Sequence, residues 1–203
     1  FVPNTFTDAQ SGWFKGAVDF AQGSGLMNGM TPTEFAPNVT TTRAMVAQVL
    51  YRLAGSPTML HITAIPDADP DAWYYDAMLW ASCTGIMKGY EDGTYRPNRA
   101  ITRQEMATIL LRMADVKLGA DRVDAALAEI ADGGSVASWA RAGVAFCYLG
   151  GIMNGVGGAH FDPTGMLTRA QLAQVFFNLY NIGMDEVMNS GEDPEPASSL
   201  LAA

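Results

Sequence analysis

Three Thr-Arg pairs are the residues in this chain whose type and spacing could do chemistry: Thr42-Arg43, Thr102-Arg103 and Thr168-Arg169. Each pair stands where the periodicity predicts that a helix begins. A cation at that end is disfavoured by a few tenths of a kcal/mol, because the macrodipole is positive there. A guanidinium beside free helix N–H groups is also a receptor for a carboxylate or phosphate. The repeated arginine therefore indicates a compensating anion, and the residues leave an internal carboxylate and an external ligand equally open.

The pairs belong to a longer repeat. Each arginine follows a tryptophan by 30 residues, and the tryptophans are Trp13, Trp73 and Trp139. A fixed length inside each copy, with spacers of different length between copies, is typical of tandem structural units. We assign the repeats to residues 1–56, 57–116 and 117–182, with a linker or frayed tail at 183–203. No unit shows a complete core of its own, so the three repeats are expected to form one domain.

Each repeat is predicted to be helix, loop and helix. The first helix starts near the tryptophan and ends at a glycine in the left-handed conformation, namely Gly25, Gly85 or Gly151. The pairs Leu26-Met27, Ile86-Met87 and Ile152-Met153 follow as apolar plugs that fold back onto the core. The second helix carries an apolar i, i+3, i+4, i+7 stripe, which is Val46, Val49, Leu50 and Leu53 in the first copy. Residues 118–131 carry an additional helical pattern.

The threonines have a structural explanation of their own. Thr42, Thr102 and Thr168 stand at N-cap positions, and Glu105 and Gln171 complete a capping box in the second and third copies. Met45 occupies that position in the first copy, so its box is broken. These caps explain the threonines but leave the arginines unexplained.

Several other residues permit two interpretations. Gly29, Gly89 and Gly155 close the corner after the first helix, either because positive φ is needed or because a ligand approaches the backbone. The tryptophans favour core or inter-repeat packing over sugar stacking. Cys83 and Cys147 favour buried free thiols over a disulfide.

Metal and catalytic chemistry find little support. Residues 67–71 faintly resemble a calcium loop but lack the glycine and glutamate of an EF-hand. His61 and His160 lack metal-ligand spacing, and no P-loop or catalytic triad pattern occurs. We therefore predict no metal, no cofactor and no enzymatic activity.

Composition narrows the partners further. The net charge of −9 and pI near 4.5 argue against nucleic acid and against a polybasic membrane contact. No apolar run is long enough to span a bilayer. The chain opens at Phe1 without Met, as expected for a mature form or an excised piece.

The second copy carries a family resemblance. Residues 65–114 contain Trp73, the run Gly85-Ile86-Met87-Lys88-Gly89-Tyr90, the run Asp92-Gly93-Thr94-Tyr95, Pro97, and the run Ile101-Thr102-Arg103-Gln104-Glu105. With these motifs the segment closely resembles an S-layer homology repeat. Residues 6–53 and 130–179 resemble it in the same way.

The resemblance implies an all-α domain in which three prongs surround a central three-helix bundle with pseudo-threefold symmetry. It implies an extracellular protein, monomeric as an isolated domain and part of a larger surface protein. Its task would be non-covalent anchoring to the bacterial cell wall. The usual ligand of the family is an anionic secondary wall polysaccharide with pyruvate ketals, whose carboxylate is read by the Thr-Arg arginine. Carried over, the contacting residues would be Arg43, Arg103, Arg169, Gly29, Gly89, Gly155, Trp13, Trp73, Trp139, Lys88 and Glu105.

Departures from the family pattern make the grooves unequal. The Thr-Arg-Ala-Glu pattern reads Thr-Arg-Ala-Met in the first copy, and only the second copy keeps the Tyr-Glu-Asp-Gly loop. The groove at Arg103 is therefore the first choice for ligand, and Arg103→Ala is expected to lower wall binding with little change in melting temperature. Binding of modified peptidoglycan and a protein-binding adaptor or assembly module remain alternatives.

Overall fold

Helices make up the regular secondary structure of the protein in a computed structural model that describes residues 1–60 and 63–190. The α-helices are α1 (Lys15–Gly23), α2 (Arg43–Leu53), α3 (Tyr75–Cys83), α4 (Arg103–Ala114), α5 (Ala120–Ala128), α6 (Arg141–Leu149) and α7 (Arg169–Ser190). Two short 3-10 helices, Gly133–Ser135 and Ser138–Ala140, precede α6. Within those described ranges the only extended pairing is three isolated bridges, so the all-α prediction is confirmed. None of these helices is both long and apolar enough to cross a membrane.

The first helix of each repeat ends as predicted. After α1, α3 and α6 the chain turns at Gly25, Gly85 and Gly151, with φ of 72°, 74° and 64°. Glycine is favoured there because a Cβ would strain a left-handed residue. The next two residues fold back, and the amide of Met27 donates to the carbonyl of Ala21 at 3.0 Å. Met27, Met87 and Met153 are buried, which confirms the predicted apolar plugs.

The second helix of each repeat, α2, α4 or α7, buries its apolar stripe. The buried positions are Val46, Val49 and Leu50 in α2, Met106, Ile109, Leu110 and Met113 in α4, and Leu172, Val175 and Phe176 in α7. Leu53 and Leu179, at the far end of their stripes, are half-buried. Burial of these side chains is the main reason that short helices of ordinary propensity are stable here.

The three N-caps differ as the sequence predicts. Thr102 accepts from the amide of Glu105, whose carboxylate accepts the amide of Thr102 at 2.8 Å, closing the box. The Gln171 side chain accepts the amide of Thr168 at 3.0 Å in the same way. In α2, the Thr42 hydroxyl accepts the amide of Met45 at 3.2 Å, but the methionine side chain has no oxygen that could accept the amide of Thr42.

Helix α5 confirms the additional helix predicted for the longer spacer, and its Val123 and Leu127 are buried. Helix α7 departs from the prediction, since it continues to Ser190 instead of giving way to a tail at residue 183. Residues 183–190 contain a single glycine and no proline, so they hold few helix breakers. The predicted Gly- and Pro-containing linker at 191–203 lies outside the described residues.

The chain forms two compact units. The first unit comprises residues Phe1–Ala100 and Thr168–Phe177, and within it α2 packs against α3. The second comprises Ile101–Leu167 and the part of α7 from Asn178, and within it α6 packs against α4 and α5. The borders of the units do not coincide with those of the repeats. The predicted three-pronged arrangement around a central bundle stays a prediction, as does the grouping of all repeats into one domain.

Both cysteines carry free thiols, but their burial differs. Cys147 is fully buried in α6, as predicted, and burial raises the pKa of its thiol. Cys83 is exposed, so the prediction of a buried thiol is wrong there. It is the last residue of α3, where the helix ends and the side chain faces solvent.

Candidate functional site

The three Thr-Arg arginines lie inside the protein. Arg43, Arg103 and Arg169 are only 5%, 4% and 5% exposed. Each guanidinium donates from Nε and Nη2 to two backbone carbonyl oxygens of another repeat. The acceptors are Tyr95 and Lys88 for Arg43 (2.7 and 2.8 Å), Phe161 and Asn154 for Arg103 (2.6 and 2.7 Å), and Phe35 and Asn28 for Arg169 (2.8 and 2.6 Å). The first repeat thus contacts the second, the second contacts the third, and the third contacts the first.

The helix amides beside these arginines are also occupied. In α4 the amide of Arg103 donates to the carbonyl of Gly165 and that of Gln104 to Pro163, both at 2.9 Å. Helices α2 and α7 make the equivalent bonds to the carbonyls of Arg99 and Pro97, and of Val39 and Pro37. The prediction of free helix N–H groups is therefore wrong. The loop of another repeat docks its carbonyls on the positive helix end, which satisfies the orphan donors that an anion would otherwise bind.

These hydrogen bonds explain why each of these helices begins with an arginine. A guanidinium offers five N–H groups in a planar fork, which suits two carbonyls of one loop better than an ammonium would. The sequence left an internal carboxylate and an external anionic ligand equally open as the compensating partner. The carbonyl oxygens supply partial negative charge instead, so the first role of the arginines is to join repeats.

An aspartate holds the same loop from its other side. The Asp132 carboxylate accepts the amides of Phe161 and Asp162 at 2.7 and 2.8 Å. Burial tends to raise the pKa of Asp132, but these N–H bonds outweigh it, so the pKa lies below its usual value. Asp8 and Asp67 accept two loop amides each in the first and second repeats.

This aspartate clamp was missed in the sequence, although an Asp precedes each aromatic-X-Pro motif by a similar interval of 27, 28 or 29 residues. The clamped loop bends at a non-glycine residue with positive φ, namely Ala36 (60°), Arg96 (49°) or Asp162 (56°). Asp67 thus belongs to a loop clamp, in the segment that faintly resembled a calcium loop. The described residues contain no group of three or more His, Cys, Asp or Glu side chains that could hold a metal. His160 is exposed, and His61 lies outside the described part of the chain.

Of the two explanations predicted for the corner glycines, a positive φ is wrong. None of Gly29, Gly89 and Gly155 has a left-handed φ. A Cβ on Gly29 would lie 2.3 Å from the carbonyl oxygen of Thr31, and one on Gly155 would lie 2.6 Å from that of His160. The close approach is made by the protein's own loop.

The tryptophans are exposed, so the prediction of core packing is wrong. Trp13, Trp73 and Trp139 are 64%, 63% and 56% exposed. Each precedes the first helix of its repeat by two residues, and the apolar face of that helix therefore does not include it. Trp73 is held edge-on against Tyr74, with ring centroids 5.2 Å apart. An exposed indole of this kind is suited to stacking on a ligand ring.

One pocket of the first unit brings several predicted residues together. Its volume is about 330 Å³. It is lined by Arg169, Trp73, residues 27–30, and by Met45, Gln48, Val49, Arg52 and Leu172. Arg169, Trp73 and Gly29 were predicted to contact ligand. The pocket combines a cation with an exposed aromatic ring, and both groups are suited to binding an anionic sugar.

Arg52 and Gln48 were missed by the sequence reading. Arg52 donates from Nη1 to the carbonyl of Leu26 at 3.0 Å, so its head group is fixed at the pocket. A signal existed, because Arg112 stands at the equivalent position of the second repeat. Burial lowers the pKa of Arg169, with the charge of Asp8 opposing the effect. The site thus holds a desolvated cation whose charge an anion would stabilise.

Lys88 and Glu105, which were also predicted to contact ligand, do not line this pocket. Lys88 has an exposed side chain, and its carbonyl binds Arg43. Tyr90, next along that loop, has the guanidinium carbons of Arg43, Arg96 and Arg99 at 4.9, 4.2 and 5.4 Å from its ring centroid. Glu105 closes the capping box of α4.

Comparison with known proteins now identifies the family. The S-layer homology domain matches residues 5–45, 64–107 and 129–173, one match in each repeat and well over half of the chain in total. This chain belongs to the S-layer homology family. The three matches confirm the resemblance of all three repeats.

Relatives of this S-layer homology protein are long proteins. It is 32% identical over 176 residues to an amylopullulanase of Thermoanaerobacterium thermosulfurigenes, covering 86% of this chain and 9% of that protein. It is 30% identical to the exoglucanase XynX of Acetivibrio thermocellus, covering 86% and 16%. It is 29% identical to the surface-layer 125 kDa protein of Lysinibacillus sphaericus, covering 82% and 14%.

The chain thus spans less than a fifth of each of these relatives. Its S-layer homology repeats are a non-catalytic module for anchoring to the cell wall, although some relatives carry enzyme names. Localisation at the cell surface is confirmed by relatives that are surface-layer proteins, such as the 125 kDa protein of Lysinibacillus sphaericus.

Proposed function

We propose that this S-layer homology module anchors a larger surface protein by binding an anionic secondary wall polysaccharide in the pocket between Arg169 and Trp73. The observation that carries the proposal is that pocket, where a fixed cation and an exposed indole line one cavity of about 330 Å³. The cavity is large enough for a sugar unit and its substituent. The groove at Arg169 thereby replaces the groove at Arg103 as the first choice.

The chemistry of each wall suits one part of such a glycan. The Trp73 ring offers a face on which the C–H face of a pyranose stacks. Arg169 and Arg52 are both held by backbone carbonyls, so they meet a carboxylate without first losing side-chain entropy. A pyruvate ketal carries such a carboxylate directly on a sugar ring, and it is the substituent we propose.

Trp73→Ala tests the pocket without disturbing the core, because the side chain is mostly exposed. We expect sedimentation with purified walls to weaken at least about tenfold, which corresponds to about 1.4 kcal/mol. The thermal midpoint should change by no more than about 2 °C, since an exposed residue contributes little to stability. Trp73→Phe, which keeps an aromatic face, should retain part of the binding.

The identity of the polymer is tested with walls before and after acid extraction of the secondary polysaccharide. Loss of binding to extracted walls supports the proposal. Unchanged binding to extracted walls would contradict it and would point to peptidoglycan. Absence of binding to purified walls, extracted or not, would instead favour the protein-binding adaptor.

A further inference from the structure

A second cavity adjoins the pocket at Arg169, because residues 28–30 line both of them. We call it the Gln22 cavity, and its volume is about 380 Å³. Its other lining residues are Phe6, Gln22, Thr31 and Pro32. Both volumes fall in the range of about 300 to 1,000 Å³ that is usual for small-ligand sites. A ligand longer than one sugar unit therefore has a continuous path from one cavity to the other.

The two cavities differ in charge. The pocket at Arg169 contains two guanidinium groups, those of Arg169 and Arg52, which backbone carbonyls hold in place. No ionisable side chain lines the Gln22 cavity. An anionic group is compensated in the first cavity and would be left uncompensated in the second, so the Gln22 cavity suits a neutral group.

Polar hydrogens remain for a ligand in the Gln22 cavity. The Gln22 side chain accepts the amide of Thr5 and donates to the Thr5 hydroxyl, both at 3.0 Å. An amide has two N–H groups, so one N–H of Gln22 has no acceptor among the described residues. The Thr31 hydroxyl accepts the amides of Thr33 and Glu34 at 3.3 and 3.0 Å, and its own hydrogen has no acceptor in the described part of the chain either. Two positioned donors in a neutral cavity suit the hydroxyl groups of a sugar.

Asn28 connects the two cavities. Its carbonyl accepts from Nη2 of Arg169 at 2.6 Å, whereas its exposed side-chain amide makes no hydrogen bond to another described residue. The amide of Met30 donates to the carbonyl of Glu34 at 2.9 Å, so residues 28–30 are held at both ends. The shared wall is thus fixed and offers one more polar group to the ligand.

From this we infer that the Gln22 cavity is a second sugar subsite, which binds a neutral sugar unit next to the anionic unit in the pocket at Arg169. The inference rests on the proposed function, since it extends the same glycan across residues 28–30. Its consequence is that affinity depends on the length of the glycan. A single anionic sugar fills one cavity, and a fragment of two or three sugars fills both.

Isothermal titration calorimetry tests this with oligosaccharides that are released from purified wall polysaccharide and separated by size. We expect the parent protein to bind fragments of two or three sugars at least about fivefold more tightly than the single anionic sugar, as one or two added hydrogen bonds would give. Gln22→Ala should lose this gain and keep the parent affinity for the single sugar.

Thr5→Val is the matched control. It removes the same side-chain hydrogen bond between Thr5 and Gln22 but leaves Gln22 in the cavity, which Thr5 does not line. Its affinities should stay within about twofold of the parent at every length, and both variants should melt within about 2 °C of the parent because the bond is exposed.

The inference is overturned if the parent protein binds all lengths equally, or if Gln22→Ala keeps the gain with length, while Trp73→Ala binds the single sugar weakly. If Trp73→Ala binds the single sugar as tightly as the parent does, the proposed function fails and the inference fails with it. The affinity of Trp73→Ala for the single sugar thus distinguishes the two failures.

Discussion

Arg103→Ala is the substitution for which the structure reverses the expectation drawn from the sequence. The side chain is buried and donates to the carbonyls of Phe161 and Asn154 at 2.6 and 2.7 Å. Its guanidinium carbon also lies 4.8 Å from the centroid of the Phe161 ring. A hydrogen bond from a charged donor contributes about 1.5 to 3 kcal/mol. Removing both, with partial rehydration of the carbonyls, should therefore cost about 3 kcal/mol of unfolding free energy.

For a chain of this size each kcal/mol corresponds to about 2 to 4 °C in the thermal midpoint, so a fall of about 6 to 12 °C is expected. Differential scanning calorimetry measures it directly. Arg103→Lys should fall about half as far, because one ammonium cannot serve both carbonyls with the geometry of the fork.

Arg141→Ala is the matched control for loss of one positive charge. Arg141 pairs with Asp124 at 2.6 Å on the surface, and an exposed pair of that kind contributes less than about 1 kcal/mol. The reasoning is refuted if Arg103→Ala melts within about 2 °C of the parent protein. That result would mean that the inter-repeat carbonyl contacts do not stabilise the fold.

Three further predictions concern single positions. Gly29→Ala should lower the unfolding free energy, measured by urea titration, by about 1 to 3 kcal/mol, because its Cβ would lie 2.3 Å from a loop carbonyl oxygen. The control Gly134→Ala has open space around the new Cβ, so it should change the unfolding free energy by less than about 0.5 kcal/mol. The folded-state pKa of Asp132 lies below the unfolded value, so its contribution is present above about pH 4 and is lost as the pH falls further. Asp132→Asn should therefore lose less stability than the parent protein between about pH 4 and pH 2, and equal losses would contradict the clamp. Ellman's reagent should titrate one thiol in the native protein, Cys83, and two after denaturation, because Cys147 is buried; rapid reaction of both native thiols would disprove this difference.

The helices and their ends were predictable because they depend on local patterns. Apolar stripes, N-cap threonines and C-terminal glycines each act within a few residues, and three copies of every signal removed the ambiguity of a single one. The broken box at Met45 was visible in the same way.

The partners of the arginines were not predictable, because they come from another repeat. The acceptors of Arg169 lie 134 and 141 residues away in the chain, and nothing local marks a carbonyl as an acceptor. The exposure of Trp73 was missed because the helical period was extended two residues too far toward the N-terminus. Arg52 was overlooked because only the second copy has an equivalent arginine, Arg112, and the third copy has none.

The most direct test of the pocket is the indole N–H signal of Trp73 in a 1H–15N spectrum, recorded while purified wall polysaccharide is added. The protein has four tryptophans and thus four such signals, including that of the buried Trp80 as an internal reference. We predict that the Trp73 signal shifts or broadens in proportion to added polymer while the Trp80 signal stays in place. If the Trp73 signal stays in place at saturating polymer while the protein still co-sediments with purified walls, the pocket between Arg169 and Trp73 is not the binding site.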